Sequence, residues 1–425
     1  MAGYRVAPLG HPIDAVVAVP GSKSVANRAL ICAALADGTS TFANVPDGDD
    51  TEAMLDCLDR LGAGIARGEG PTIDATTVRG TGGLLRPGPI DLPTRLAGTT
   101  SRFVTALAAL GPGPYTIDGH PPLRARPMAP LHDALVGLGA QIRAGEEVGH
   151  LPITISGPVR SSGRIDVRGD VSSQFLTALM LIGPYVPGGL HIAITTPLVS
   201  RPYLETTKAV MADFGHAAVI IGDTTIEVAA GRYVARDYTI EPDASSASYP
   251  LAAAAICGGR VEVPDLTRHA VQGDARFCDV LAKMGCAATR GEASTIVESG
   301  TQLNGVDIDM VEMSDLVPTL AAAALFATTP TRIRGVGFIR AKESDRLGDL
   351  CTELRRLGAE ATETDDGLLI EPSVLHGSRV ATHHDHRLAM AFGLIGLRVA
   401  DVEVDDPDVV SKSWPGYWRV LGSLQ

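Results

Sequence analysis

The segment LDRLGAGIARG, residues 58–68, decides the fold because it recurs along the chain. Similar segments are LVGLGAQIRAG from Leu135, MADFGHAAVII from Met211, LAKMGCAATRG from Leu281 and LRRLGAEATET from Leu354. The shared glycines, roughly 70–77 residues apart, are Gly62, Gly139, Gly215, Gly285 and Gly358, with a weaker sixth copy, WRVLGSLQ, at Gly422. Each follows a helix-like stretch, where a left-handed residue often ends a helix, and precedes a strand-like run. The pattern predicts six repeated supersecondary units.

Each unit also contains a second helical segment that is apolar on nearly every side. These segments are SKSVANRALICAALADG, GTTSRFVTALAALGPG, SSQFLTALMLIGP, SSASYPLAAAAICGG, SDLVPTLAAAALFATTP and HDHRLAMAFGLIGLR. A helix that is apolar all round is normally buried. The segments open on Ser, Thr, Asp or His, which predicts N-capping side chains. Six units exceed one core, so we expect two α/β domains of three units, with a boundary near Pro242 and the strand Val16–Val19 in the second domain.

Composition and charge exclude several classes of protein. The chain has 425 residues, 45% hydrophobic and 20% charged, which is typical of a globular protein with two cores. Its formal net charge of -13 disfavours nucleic-acid binding, which needs a basic face. The N-terminal MAGYRVAPLG does not resemble a signal peptide, and apolar runs such as Leu320 to Thr328 are too short to cross a bilayer. We therefore expect a cytoplasmic protein with no nucleic-acid or membrane partner.

Cysteine and histidine spacing gives no indication of a metal site. The six cysteines, which form no CxxC pair, are Cys32, Cys57, Cys257, Cys278, Cys286 and Cys351. We interpret them as reduced and buried thiols of a cytosolic protein. His383, His384 and His386 surround Asp385, but their spacing does not fit a tetrahedral zinc site. No metal is expected.

Basic residues cluster near the polar starts of the buried helices. They are Lys23, Arg28, Arg102, Arg126, Arg201, Lys342, Arg346, Arg387 and Lys412. Taken singly, each could be a solvated surface charge. Helix N-termini bind anions through their exposed N–H groups, so the combined pattern favours a ligand with several negative charges.

The stretch VPGSKSVANRAL, residues 19–30, resembles a phosphate-binding loop. A nucleotide P-loop needs an earlier glycine, and residues 15–19 read AVVAV. The missing glycine therefore disfavours a nucleotide P-loop. Lys23, the Ser24 hydroxyl and Arg28 could still hold a phosphate, and the alternative is a simple capped helix start.

Nine motifs, which occur in order over almost the whole chain, resemble the 5-enolpyruvylshikimate-3-phosphate (EPSP) synthases. They are PGSKSVANRAL, LAGTTSRF, RARPMAPLHDAL, VSSQFLTAL, DASSASYPLAAAAI, VQGDARFCDVLAKMG, AKESDRL, DHRLAM and SKSWPGYW. The related UDP-N-acetylglucosamine enolpyruvyl transferases usually carry a Cys before their Arg-Pro motif, and the loop from His120 to Pro127 has none. The resemblance implies an inverse α/β barrel architecture, with two domains each of three βαβαββ repeats. We expect residues 21–241 in one domain, residues 1–20 and 242–425 in the other, and the active site in the interdomain cleft.

The reaction implied by the resemblance joins phosphoenolpyruvate to shikimate 3-phosphate in chorismate and aromatic amino acid biosynthesis, without a cofactor, in a monomer. The 5-hydroxyl attacks C2 of phosphoenolpyruvate, a tetrahedral ketal forms, and loss of phosphate yields the enolpyruvyl ether. Both substrates are polyanions, so holding them together requires clustered cations and bidentate arginines.

Matching motifs assign roles to individual residues. Shikimate 3-phosphate is expected to contact Lys23, Ser24, Arg28, Ser172, Ser173, Gln174, Ser200, Asp315 and Lys342. The phosphate of phosphoenolpyruvate is expected to contact Lys23, Gly98, Arg126, Gln174 and Lys412, and its carboxylate Arg346 and Arg387. Asp315 is the expected base at the 5-hydroxyl and Glu343 the expected proton donor at the methylene carbon, assisted by Lys23 and His386. From the residues alone, Asp315 could instead be a helix cap, and Glu343 a partner of Lys342 or Arg346.

The chain also departs from the family pattern. The departures are Leu96 for Asn, Phe103 for Pro, Phe338 for an Asn at the shikimate ring, Arg201 for Lys and Gly416 for Asp. They motivate an alternative, an enolpyruvyl transferase acting on another phosphorylated cyclic acceptor. A catalytically inactive binding protein is a further alternative, although Asp315, Glu343, Lys23 and Arg387 are all present. A bulkier residue at Gly98 excludes glyphosate in the family, so we predict that glyphosate competes with phosphoenolpyruvate.

Overall fold

The computed structural model describes residues 3–68, 75–160, 164–300 and 302–424. Backbone contacts divide the chain into two compact units. The first domain is Gly21–Ile240, and the second combines Met1–Pro20 with Glu241–Gln425. Glu241, which we expected in the first domain, groups with the second, where its carboxylate accepts the Val271 N–H and the Gln272 side-chain N–H.

The strands are short and distributed along the chain. Those before residue 21 are β1 (Tyr4–Arg5) and β2 (Ile13–Val16). Those of the first domain are β3 (Thr39–Ala43), β4 (Gly64–Arg67), β5 (Thr76–Arg79), β6 (Ile90–Pro93), β7 (Tyr115–Asp118), β8 (Gln141–Ala144), β9 (Ile153–Ser156), β10 (Arg164–Val167), β11 (Leu190–Ile194), β12 (Val219–Ile221), β13 (Thr225–Val228) and β14 (Asp237–Thr239). The others are β15 (Gly259–Pro264), β16 (Ala287–Arg290), β17 (Ser294–Ser299), β18 (Asp307–Asp309), β19 (Thr331–Arg334), β20 (Glu360–Thr364), β21 (Gly367–Glu371), β22 (Arg379–Val380) and β23 (Glu403–Val404). The predicted strand Val16–Val19 thus lies three residues too late, since β2 ends at Val16.

The helices alternate with the strands. Those of the first domain are α1 (Lys23–Leu35), α2 (Asp49–Arg60), α3 (Gly98–Ala108), α4 (Pro121–Arg124), α5 (Ala129–Gly137), α6 (Ser173–Ile182) and α7 (Pro202–Asp213). Those of the second are α8 (Ala244–Cys257), α9 (Phe277–Lys283), α10 (Val317–Ala324), α11 (Gly348–Arg356), α12 (His386–Gly396) and α13 (Tyr417–Ser423). Short 3₁₀ helices are Gly183–Tyr185, Gly273–Arg276, Val311–Leu316, Gly337–Ala341 and Pro407–Lys412.

One sheet pattern is repeated throughout the described residues. In the sheet β6-β7-β9-β8, β6 runs parallel to β7, and β9 is antiparallel to both β7 and β8. The sheets β10-β11-β13-β12 and β18-β19-β21-β20 have the same order. In chain order, β6, α3, β7, α5, β8 and β9 form one βαβαββ unit. The predicted fold class, two α/β domains built from this repeat, is confirmed.

Three sheets are completed by strands distant in sequence. In the first domain β14 pairs in parallel with β3, beside β5 and β4. In the second domain β2 pairs in parallel with β15, and β1 pairs with β23 in the three-stranded sheet β1-β23-β22. Each domain therefore closes only when strands from two separate parts of the chain meet.

The six apolar helices are α1, α3, α6, α8, α10 and α12, and they are buried as predicted. In α3 every residue from Thr100 to Ala108 is buried, and in α12 every residue from His386 to Gly396 is buried. Helix α3 packs against α6, and α10 packs against α12. Such helices cannot be stable at a surface, so they form the cores that hold the polar helix starts in place.

The repeated glycines end five of the amphipathic helices. Gly62, Gly139, Gly215, Gly285 and Gly358 all have positive φ angles, between 85° and 110°. The following N–H bonds the carbonyl five residues earlier, as in Ala63 to Leu58 and Ala359 to Leu354, at 3.0 and 3.1 Å. This pairing is the Schellman motif. The prediction that the glycine ends a helix is wrong for the sixth copy, because Gly422 lies inside α13.

Side-chain caps begin four of the six buried helices. Ser22, Ser172, Asp243 and Asp385 accept a backbone N–H in the first turns of α1, α6, α8 and α12. The cap prediction is wrong for α3, which follows Ala97, and for α10, which continues from a 3₁₀ helix. Backbone geometry leading into the helix replaces a cap at these two starts.

Candidate active site

A buried arginine joins three carboxylates in the second domain. The Arg346 side chain is about 1% exposed. Its Nε donates to Asp385 Oδ2 at 2.7 Å, its Nη1 to Asp315 Oδ1 at 2.9 Å and its Nη2 to Glu343 Oε2 at 2.7 Å. The planar guanidinium therefore fixes three acidic groups from three segments of the chain.

Two further cations complete this group. Arg387 Nη2 donates to Asp315 Oδ2 at 2.9 Å, and Lys412 Nζ donates to Glu343 Oε1 at 3.1 Å. The predicted acid and base are therefore held by the cations that the sequence assigns to phosphoenolpyruvate. We define the second-domain cluster as Asp315, Glu343, Arg346, Asp385, Arg387 and Lys412.

Helix starts and turns place these residues. Asp315 lies in the 3₁₀ helix Val311–Leu316, directly before α10. Glu343 and Arg346 lie between the 3₁₀ helix Gly337–Ala341 and α11. Asp385 caps α12, accepting the Arg387 N–H at 2.9 Å and the Ser344 hydroxyl at 3.2 Å.

Asp385 was not predicted as a site residue. It is fully buried, and one carboxylate both caps the helix and binds Arg346. The only indication in the sequence was its position before an apolar helix, which predicts a cap and no ion pair.

The cations control the predicted base. Burial alone would raise the pKa of Asp315, but Arg387, Lys342 and Arg346 outweigh it and hold that pKa well below its usual range. Burial likewise disfavours the charged Arg346, yet Asp385, Glu343 and Asp315 raise its pKa. Asp315 is therefore a weak base while these cations face it.

Lys342 and His386, which the sequence also assigns to the site, are close to this cluster. The Lys342 ammonium lies 5.9 Å from the centroid of the Phe338 ring. His386 is about 2% exposed, and its Nδ1 lies 3.6 Å from Asp385 Oδ1. The structure thus brings together all the predicted site residues of the second domain.

A second buried carboxyl, Asp274, lies near Asp315 and was not predicted. Asp274 belongs to the 3₁₀ helix Gly273–Arg276, which packs against Val311–Leu316, and Arg276 binds Glu312 across the two at 2.9 Å. The Ser245 hydroxyl donates to Asp274. Burial, together with the negative charge of Asp315, raises the pKa of Asp274 to about 6.

In the first domain the predicted residues gather around the first turn of α3. Lys23 Nζ contacts Asp50 Oδ2 at 2.8 Å, and the Asp50 carbonyl accepts the Thr100 hydroxyl at 3.0 Å. Gln174 Nε2 donates to the Thr99 hydroxyl at 3.3 Å. Asp50, which was not predicted, thus connects Lys23 to the helix start.

Gly98, the first residue of α3, lies against two guanidinium groups. A Cβ atom added to Gly98 would collide with Arg126 Nη1 and would approach Arg102 Nη1 to 2.7 Å. Arg102 Nη1 donates to the Gly98 carbonyl at 2.8 Å. We define the first-domain cluster as Lys23, Asp50, Gly98, Arg102, Arg126 and Gln174.

Arg28 is bound mainly by neutral groups. Its Nε donates to the Thr207 hydroxyl at 2.8 Å, its Nη1 to the Ser24 carbonyl at 2.7 Å and its Nη2 to the Tyr203 carbonyl at 3.1 Å. Burial lowers its pKa to about 10. The Phe103 ring lies 5.6 Å from its guanidinium. Arg28 therefore connects α1 to α7, a role that the sequence did not reveal.

The remaining predicted residues of the first domain lie near other helix starts. Ser172 caps α6, and Ser173 is buried in its first turn. Ser200 adopts a φ of 56° just before α7. Arg201 donates to the Ile221 carbonyl at 3.0 Å and to Asp223 at 3.2 Å.

The described ranges contain neither a cluster of metal ligands nor a membrane-spanning helix. No group of three or more His, Cys, Asp or Glu side chains there could hold a metal ion. No helix in those ranges combines the length and the apolar character needed to cross a bilayer. The six cysteines are unpaired thiols, five of them buried and Cys257 only half-buried.

Comparison with known proteins identifies the family. The family model described as EPSP synthase (3-phosphoshikimate 1-carboxyvinyltransferase) matches residues 9–421. The chain belongs to the EPSP synthase family. It is 44% identical over 411 residues, 96% of each chain, to the 3-phosphoshikimate 1-carboxyvinyltransferase of Trichormus variabilis. The corresponding protein of Shewanella baltica is 41% identical with the same coverage.

Solved structures agree with this assignment. The EPSP synthase of Acinetobacter baumannii superposes with a TM-score of 0.83 at 25% identity, covering 100% of this chain and 98% of that one. The enolpyruvyl transferase NikO of Streptomyces tendae has a TM-score of 0.76 at 18% identity, covering 99% and 96%. The second likeness shows the shared fold.

Proposed function

We propose that the two clusters carry out the EPSP synthase reaction in this chain, the transfer of the enolpyruvyl group of phosphoenolpyruvate to the 5-hydroxyl of shikimate 3-phosphate. The products are 5-enolpyruvylshikimate 3-phosphate and phosphate. The observation that carries the proposal is the Arg346 network, which holds Asp315 and Glu343 among the cations Arg387 and Lys412. An acid and a base fixed among cations suit proton transfers on a bound polyanion.

Phosphoenolpyruvate supplies a phosphate and a carboxylate. Lys23, Gly98, Arg126, Gln174 and Lys412 bind the phosphate in this proposal. Arg346 and Arg387 bind the carboxylate. Because Arg387 already donates to Asp315, the carboxylate of phosphoenolpyruvate takes the place of the Asp315 carboxylate at Arg387.

That exchange activates the base. When Arg387 turns to the substrate, Asp315 loses one of the charges that lower its pKa. Asp315 then accepts the proton of the 5-hydroxyl as its oxygen attacks C2 of phosphoenolpyruvate, while Glu343 protonates C3. The ketal collapses when the Glu343 carboxylate takes back a C3 proton and the C2–O bond to phosphate breaks, which restores the double bond and releases phosphate. Lys23 and His386 assist as cations or hydrogen-bond donors.

Shikimate 3-phosphate is held by residues of both domains in this proposal. They are Lys23, Ser24, Arg28, Ser172, Ser173, Gln174, Ser200, Asp315 and Lys342. The start of α6, where Ser172 caps the helix, supports phosphate binding there, because the N–H groups of a helix's first turn favour an anion.

The test is phosphate release from phosphoenolpyruvate with and without shikimate 3-phosphate. We expect release that requires both substrates and falls by a factor of about 100 or more in Asp315→Ala and in Glu343→Gln. Glu312→Gln is the matched control, since Glu312 lies in the same 3₁₀ helix as Asp315 and pairs with exposed Arg276. Release without shikimate 3-phosphate, or full activity in both variants, would contradict the proposal.

One observation favours keeping the second acceptor in view. The Phe338 ring lies beside Lys342, where the family pattern has a polar Asn. A phenyl ring offers no hydrogen bond to a sugar hydroxyl. A panel of phosphorylated cyclic alcohols, compared by kcat/KM, tests this alternative. A member that reacted faster than shikimate 3-phosphate would replace it as the substrate.

We also propose that the enzyme is a cytoplasmic monomer. The unpaired, mostly buried cysteines support a reducing compartment. Light scattering would check the monomer, with an expected mass of 44.2 kDa. A mass twice that value would exclude it.

A further inference from the structure

The loop before α12 contains two consecutive residues with left-handed backbone conformation. His383 has a φ of 51° and His384 a φ of 58°, and Asp385 follows directly. Non-glycine residues adopt this region at a cost in free energy, which surrounding contacts must offset. Because Asp385 binds Arg346, the contacts that hold this loop also affect the second-domain cluster.

The His383 ring supplies such contacts. Its Nε2 lies 2.9 Å from Glu353 Oε1, and its Nδ1 lies 3.4 Å from Asp349 Oδ1. The Glu353 side chain is fully buried, and its Oε2 accepts the Ala381 N–H at 3.0 Å. One buried carboxylate therefore binds the loop through both a ring and a backbone group.

The same contacts join the two segments that build the cluster. Glu353 and Asp349 lie on α11, which begins two residues after Arg346. Arg346, just before α11, binds Asp385 of the loop, and His383 of the same loop binds Glu353 on α11. The helix and the loop are thus connected at two points.

We propose that His383 and Glu353 are positioning residues that hold Asp385, and through it Arg346 and Arg387, in the geometry that binds the carboxylate of phosphoenolpyruvate. The inference rests on the proposed function of those arginines. Neither residue needs to contact a substrate. Loss of the pair therefore weakens phosphoenolpyruvate binding more than binding of shikimate 3-phosphate.

His384 is the matched control. It shares the left-handed conformation but is about 80% exposed, and its Nδ1 lies 3.5 Å from Asp406 Oδ2. Glycine adopts this backbone region without a Cβ penalty, so His→Gly at either position removes the ring and keeps the conformation accessible. Any difference between the two variants reports on the ring contacts.

The experiment compares His383→Gly and His384→Gly by KM for each substrate, kcat and thermal midpoint. We expect His383→Gly to raise KM for phosphoenolpyruvate roughly five- to tenfold and to change KM for shikimate 3-phosphate less than about twofold. His384→Gly should leave both values within about twofold. Equal KM values in the two variants, or an equal rise for both substrates in His383→Gly, would overturn the proposal.

Two further measurements keep the outcomes separate. Glu353→Gln retains the size of the buried side chain and replaces His383→Gly if that variant fails to fold, with the same direction expected for KM. Phosphate release by the unaltered enzyme is measured first. Its absence would refute the proposed function, whereas normal release with an unchanged KM in His383→Gly and Glu353→Gln would refute only the positioning role.

Discussion

Arg28 of the first domain and Arg346 of the second are held in different ways. In the first domain Arg28 donates to hydroxyl and carbonyl oxygens, and Arg102 donates to the carbonyls of Gly98 and Pro127. In the second domain Arg346 and Arg387 donate to carboxylates. Neutral acceptors do not offset the charge of Arg28, whereas carboxylates offset the charges of Arg346 and Arg387.

This difference indicates two ways of binding an anion. In the proposed reaction the cations beside Gly98 in the first-domain cluster attract the phosphate of phosphoenolpyruvate. In the second-domain cluster its carboxylate competes with Asp315 for Arg387. Binding there would remove one of the charges that lower the pKa of Asp315, which suits proton transfer in the second domain.

The largest expected effect comes from removing Arg346, the centre of the second-domain cluster. Arg346→Met should lower the free energy of unfolding by about 3–5 kcal/mol, because it leaves three carboxylates without their shared cation. Urea denaturation measures it.

Arg340→Met is the matched control for that prediction. Arg340 pairs with Asp345 and Glu363 in a more exposed position, and its loss should cost less than about 1 kcal/mol. Equal losses in the two variants would show that burial does not distinguish these ion pairs.

Asp274 gives a smaller effect with a definite dependence on pH. Burial and Asp315 raise its folded pKa from 3.8 to about 6, so between those values the folded protein keeps a proton that the unfolded chain has lost. Stability therefore falls as the pH rises through this window, and the full cost applies above about pH 6. Asp274→Asn should gain up to about 3 kcal/mol relative to the unaltered protein at pH 8 and nothing from this source below pH 3.8.

Denaturation curves at pH 8 and near pH 4 check this prediction. Asp279→Asn serves as the control, because Asp279 is exposed on the neighbouring helix α9. Curves for Asp274→Asn that run parallel to those of the unaltered protein would contradict the expectation.

The smallest effect tests the first-domain cluster. In Gly98→Ala the added Cβ displaces the Arg126 and Arg102 guanidinium groups. We expect KM for phosphoenolpyruvate to rise about tenfold, equivalent to about 1.4 kcal/mol, with stability little changed. Glyphosate, which we predict to compete with phosphoenolpyruvate, should lose affinity as well.

Steady-state kinetics with and without millimolar glyphosate measure both effects. Gly137→Ala is the control, since an added Cβ there has no neighbour nearer than 3.7 Å. Unchanged kinetics in Gly98→Ala, or non-competitive inhibition of the unaltered enzyme, would show that the phosphate lies elsewhere.

Local patterns made much of the fold predictable. Helix periodicity and the five left-handed glycines are properties of short segments, and the sequence displays them directly. Gly422 was wrongly predicted to end a helix. A Leu-Gly pair alone does not terminate a helix, and α13 continues through Gly422. The prediction of capping side chains failed at α3 and α10, because no side chain caps these two helix starts.

The partners of the site residues were the least predictable part. Lys23 and Asp50 are 27 residues apart, and Asp315 and Arg387 are 72 residues apart. Such pairs form only after separate helices and turns have packed together. Sequence motifs therefore indicated candidate site residues, but they did not indicate that Asp50, Asp274 and Asp385 lie beside them.

The pairing of β1 with β23 has a consequence for the ribosome. Tyr4 lies opposite Val404, so β1 is synthesised roughly 400 residues before its partner strand. At typical elongation rates the interval is on the order of tens of seconds. During that time the first domain, Gly21–Ile240, can assemble only after β14 has emerged from the ribosome. The strands before Gly21 belong to the second domain and wait longer for their partner strands. The second domain is therefore completed after the first. Chaperones that shield extended segments have the most time to act on β1 and β2.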